Sequence, residues 1–178
     1  MRADAQRNYA VLLEVAARAV AEQGADASLE QIARTAGVGS GTVRRHFPNR
    51  QALLSAVFRN QVDALAEQAE ALGGHPDARA ALLEWLRAVL TFAATNRGLA
   101  EALNRDAVDP HEHCATGRLT AAGAPLVRRA ANALAPGVTI TDLLTLVTGI
   151  ALATERHPSA AAEAERLLRL TIDGVSPS

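Results

Sequence analysis

Residues 28–54 read SLEQIARTAGVGSGTVRRHFPNRQALL, and this stretch decides the fold. Ser28 followed three residues later by Gln31 is the signature of a capping box, so a helix is expected to open there. Leu29, Ile32 and Ala33 then share one helical face, with Ala33 small enough for a second helix to cross closely. Gly37 supplies the positive φ that a turn of a few residues needs. Val43 falls where the next helix should point back into a small core, and Pro48 marks a step into a further helix opened by Asn49. An alanine, a glycine four residues on and an aliphatic residue six beyond that is the spacing of a helix-turn-helix, whose second helix lies in the major groove of DNA.

Helical periodicity fits nearly all of the remaining chain, and no segment alternates at period two, so an all-α protein is expected. A first helix should run from about Ala3 to Gln23, closed by Gly24. A long fourth helix should extend to about Leu72, stopped by Gly73 and Gly74. Pro76 helps to start a fifth, which should reach about Asn96. A short helix is expected around Leu99 to Arg105, a loop over residues 106–117, and a helix from Leu119 to Leu134 that Pro125 either kinks or restarts. Two final helices, about Thr141 to Thr154 and Ser159 to Ile172, complete a count of nine or ten. Residues 1–50 are assigned to the helix-turn-helix domain and 51–178 to a helical bundle, with the fourth helix shared between them.

Composition bounds the function. The chain has 178 residues, 49% of them apolar and only 3% aromatic, which suits a helical core of Ala, Leu and Val. All 18 basic residues are Arg. The overall charge of −1 does not by itself suggest a nucleic-acid partner. Its distribution does: residues 1–60 hold eight arginines against five acids, a net of +3, and the remainder holds ten against fourteen. One cysteine excludes an intramolecular disulfide framework. No apolar run approaches a membrane span and no signal-peptide pattern opens the chain, so a cytoplasmic protein with no membrane partner is expected.

The segment GVGSGTVRRHFPNRQALL resembles the end of the DNA-binding domain of TetR-type repressors. That pattern runs Gly, aliphatic, three variable positions, Thr, Leu, Tyr, any residue, His, Phe, then a proline step and Lys or Arg. Thr42, Val43, His46, Phe47, Pro48, Asn49, Arg50, Leu53 and Leu54 match it. Arg44 stands where Tyr is usual, and Val20, in LLEVAARAVAEQG, where the family's first helix commonly has Phe. From Pro76 onwards, a Trp-Leu pair, DLLTLVTGIAL and LLRLTIDG resemble the subgroup with an SbtR-like C-terminal domain.

The resemblance implies a DNA-binding transcriptional regulator, a repressor released from a pseudo-palindromic operator by a small molecule. The DNA contacts would come from Ser28, Gly39, Ser40, Gly41, Thr42, Arg44, Arg45, His46, Asn49 and Arg50. Ser40 and Gly41 would face base edges, and Arg44 would hold a phosphate or read a guanine bidentately. Arg50 would grip a further phosphate, whereas Val43 and Phe47 belong to the core. The last two helices would pair across a two-fold axis into a homodimer through Leu143, Leu146, Val147, Ile150, Leu167 and Leu170. An effector would sit among Trp85, Val89, Phe92, Leu103, Leu119, Leu126 and Val147, with Arg97, Arg118 or His113 as a polar handle.

Other chemistries find little support. There is no Gly-x-Ser-x-Gly elbow, P-loop or recognisable carboxylate pair, so no enzyme and no cofactor are expected. His111, His113 and Cys114 raise the question of a metal, but adjacent ligands crowd a tetrahedral site and match no common zinc spacing; no metal is assigned. The competing reading is a ligand-binding or metal- or redox-sensing helical protein whose operator binding is weak or lost.

Overall fold

A computed structural model describes the backbone of residues 2–23, 27–96 and 111–174, with the side chains of 8–23, 27–96 and 116–174. Among these residues there are eight α-helices and no strand. They are α1 (Arg2–Gln23), α2 (Leu29–Thr35), α3 (Ser40–His46), α4 (Arg50–Leu72), α5 (Ala78–Thr95), α6 (His111–Arg129), α7 (Ile140–Thr154) and α8 (Ala160–Gly174). A 3-10 turn, Ala131–Ala133, follows α6. Two compact units form, residues up to Gln61 together with Asn96 in one and the rest from Val62 in the other. The division falls inside α4, beyond the boundary at residue 50 expected from the motif.

The first unit has one apolar centre. Leu12, Ala16 and Val20 from α1, Ile32 and Ala33 from α2, Val43 from α3, Phe47, and Leu53, Leu54 and Val57 from α4 are all buried there. Leu29 packs against it half-buried. Burial of these side chains, each worth about 1.5–3 kcal/mol for the larger ones, is what holds the two short helices α2 and α3, whose own helical propensity would not keep them folded.

In the second unit α5 lies against α6, α7 and α8, and α7 also against α6 and α8. Trp85 is fully buried, and its indole Nε1–H donates to the Leu65 carbonyl of α4 at 2.8 Å, which satisfies the ring's one donor. Gly123 of α6 is the point of closest approach. A Cβ built there would sit 2.6 Å from the Trp85 ring and 2.5 Å from Ile140 Cδ1, so only glycine lets α6 lie so near. Arg129, at the end of α6, donates to the carbonyls of Leu72 and His75 and so caps α4 from outside. Arg118 pairs with Asp63 of α4 at 2.6 Å. Along the antiparallel α5 and α8, Arg79 meets Asp173 at 2.7 Å, and Glu165 binds both Arg87 (2.7 Å) and Arg169 (2.9 Å).

The chief departure from expectation concerns α6. Residues 111–117 are helical, not loop, and the helix ends at Arg129 rather than Leu134. Polar residues, Gly117 and Pro110 suggested irregular chain, yet a proline does not oppose a helix that begins after it, and α6 begins at His111. Pro125 neither breaks nor restarts the helix; it lies inside α6 on an exposed position. Gly24 and the short helix expected at 99–105 lie outside the described residues.

Candidate nucleic-acid interface

The geometry around α3 follows from its neighbours. Ser28 caps α2, its hydroxyl accepting from the Gln31 N–H at 3.4 Å; the Gln31 side chain does not complete the expected box. At the other end Gly37 takes φ +67°. The Gly37 N–H donates to the Arg34 carbonyl and the Val38 N–H to the Ala33 carbonyl, the paired bonds of a Schellman stop that glycine makes at low strain. This turn brings α3 back across α2. Gly39 stands at the N-cap of α3 with ordinary extended backbone and no side-chain cap bond.

Val43 (1% exposed) and Phe47 (1%) anchor α3 from within, and the Phe47 N–H donates to the Val43 carbonyl at 2.8 Å. Ser40, Gly41, Arg44, Arg45 and His46 are exposed and Thr42 is half-buried. Thus the side chains predicted for contact turn outward, and the two expected in the core turn inward. No acid occurs in α3, and among the described residues neither Arg44 nor Arg45 has an ionic partner. Asn49 opens α4 as its N-cap, with Oδ1 accepting from the Ala52 N–H at 2.8 Å. That bond commits its carbonyl oxygen to the helix. Arg50 is the first residue of α4 and exposed.

One contributor escaped the sequence reading. Tyr9 of α1 packs its ring against His46, centroids 5.3 Å apart, and Phe47, 5.7 Å apart. It thereby orients the exposed imidazole at the end of α3. The signal available was slight: the chain's only tyrosine, on the expected first helix.

The residues proposed for an effector sit on α5, α6 and α7. Trp85, Val89, Leu119, Leu126 and Val147 are buried and Phe92 half-buried; Arg118 is half-exposed in its pair with Asp63. Arg97 and Leu103 lie outside the described residues. Of the residues proposed for a dimer face, Leu143, Val147 and Ile150 are enclosed within the second unit, and Leu167 is half-buried. Leu146 (40% exposed) and Leu170 (55%) are outward, joined by Leu152 (57%). The side chains of His111, His113 and Cys114 lie outside the described residues. No helix among the described residues is long and apolar enough to cross a membrane.

An outward, acid-free helix held by a buried valine and a glycine stop defines a helix-turn-helix protein of the DNA-binding class. Residues 12–57 match the family of bacterial regulatory proteins called tetR, and residues 77–177 match the SbtR-like C-terminal domain of transcriptional regulators. The chain belongs to the TetR family of transcriptional regulators. It is similar to the TetR transcriptional regulator SCO0520 of Streptomyces coelicolor, with 36% identity over 94% of this chain and 98% of that one, TM-score 0.81. A TetR regulatory protein of Mycobacterium vanbaalenii is 31% identical over 99% of both chains, TM-score 0.77. FadR of Bacillus subtilis, solved with stearoyl-CoA, shares the fold at 16% identity over 94% of this chain and 99% of that one, TM-score 0.62. Among curated proteins none matches the chain significantly.

Proposed function

We propose that this regulator is a cytoplasmic homodimeric repressor that binds a pseudo-palindromic operator with one α3 in each of two major grooves. A small molecule held among α5, α6 and α7 favours a subunit arrangement with the wrong half-site spacing, and so releases the DNA. The observation that carries the reading is the orientation of α3: its core-facing residues are fully buried, and its outward surface is polar, basic and free of acids. Arg44, Arg50 and the Asn49 amide group serve as phosphate anchors, and Thr42 and His46 flank them. The buried aliphatic side chains of Val89, Leu126 and Val147 suit an apolar effector body.

The reading is tested by selecting bound sequences from a random duplex library with purified protein at one stated salt concentration. A recovered palindrome with half-sites about one helical turn apart, or slightly more, is the expected result. Arg44→Ala and Arg50→Ala should each weaken binding to it while leaving the melting temperature nearly unchanged. Unchanged affinity in both variants would remove these anchors, and a folded protein that enriches no sequence would remove the operator.

A further inference from the structure

The two arginines of α3 are not equivalent. Successive residues of an α-helix are turned by about 100°, so the burial of Val43 fixes where every other side chain of α3 points. Arg44 and Ser40 lie on one flank, about 100° and 60° from Val43. Thr42 and His46 lie on the other, where His46 meets Tyr9 of α1. The ridge opposite the core, within about 20° of the far side, is formed by Gly41 and Arg45. From this we infer that Arg45 reads a guanine in each operator half-site, and that Gly41 clears the ridge one turn before it. The inference rests on the operator reading above; it gives the guanine contact to Arg45 and keeps Arg44, for which phosphate and guanine were both open, as a phosphate anchor.

Gly41 supplies the independent support. Of the glycines at 37, 39 and 41, only Gly37 has a positive φ. A Cβ at Gly41 would meet nothing within 4 Å, so neither backbone conformation nor packing within the chain calls for glycine there. In a helix that absence weakens the structure relative to alanine. The reason for it lies outside the chain, on the line where α3 would approach the groove floor most closely. Arg45 is exposed, has no ionic partner among the described residues and sits in a helix without acids. Its planar fork matches guanine, the base that offers two acceptors, N7 and O6, side by side in the major groove.

The test uses the full chain and its selected palindrome, with each guanine of a half-site replaced in turn by 7-deazaguanine, which keeps base pairing but lacks the N7 acceptor. For the wild-type protein one replacement per half-site should weaken binding about tenfold or more. In Arg45→Ala that penalty should vanish, and in Arg45→Lys, which keeps the charge and a donor but not the planar fork, it should shrink. In Arg44→Ala it should persist while affinity falls uniformly across sequences. Gly41→Ala should raise the melting temperature yet lower operator affinity at least tenfold; Gly117→Ala, on exposed helix in the second unit, should raise the melting temperature alone. A penalty that persists in Arg45→Ala, or that vanishes in Arg44→Ala instead, overturns the assignment while leaving the operator reading intact. A Gly41→Ala protein with full affinity overturns the role of the glycine. A folded wild-type protein that enriches no sequence overturns both readings together.

Discussion

Single residues set the close contacts of this regulator. Gly37 is legible in sequence because a positive φ leaves a recognisable residue at a recognisable spacing. Gly123 is not: its need comes from Trp85 and Ile140 on other helices, and nothing nearby in the chain announces them. Gly123→Ala should therefore destabilise the protein by roughly 1–3 kcal/mol, since the added methyl must displace an aromatic ring in a packed core. Chemical denaturation followed through the second unit would measure it; an unchanged midpoint would mean that α6 can shift without loss. Tyr9 was missed for the same reason, because a ring contact between α1 and the end of α3 has no local pattern.

Helix caps carry much of the definition of the elements. Asn49→Ala removes the bond to the Ala52 N–H and should cost about 1 kcal/mol of stability, read from urea unfolding; Asn49→Asp, which still accepts, should restore most of it. The α5–α8 contact makes a pH prediction. Partial burial pushes the Glu165 carboxyl up, but hydrogen bonds from Arg169 and Arg87 outweigh it and hold the group below the usual glutamate range. A carboxylate depressed in the folded state adds stability above its unfolded pKa and loses it as pH falls through the folded value. Glu165→Gln should thus be less stable than wild type at neutral pH, by below about 1 kcal/mol given the exposure of its partners. The difference should close in acid, and a gap that stays constant through the carboxylate range would refute it. Most helix ends were legible, since Ser28, Gly37 and Asn49 act within four residues of themselves. Residues 111–117 were not, because local propensity weighs Gly117 and the polar run against a helix, while the helix there is continuous with the rest of α6.

For the whole molecule, aliphatic stripes foretold helices α7 and α8 but not which side each stripe would face. Leu143, Val147 and Ile150 go to the unit's own core, leaving Leu146, Leu152 and Leu170 outward. A two-fold partner would use this smaller set. Leu146→Arg with Leu170→Arg should give a folded monomer in light scattering and lose operator affinity, because one half-site alone binds weakly. A double variant that remains dimeric would place the subunit contact elsewhere.

The chain has one tryptophan and one tyrosine, and the fold puts them in different units: Tyr9 in the first, Trp85 in the second. Trp85 is enclosed, its indole N–H tied to α4 and its ring against α6. Fluorescence excited at the red edge of absorption therefore reports only the second unit, without a label. Emission shifts on adding candidate metabolites would screen for effectors in the intact protein, while polarisation of labelled DNA follows the first unit in the same cuvette.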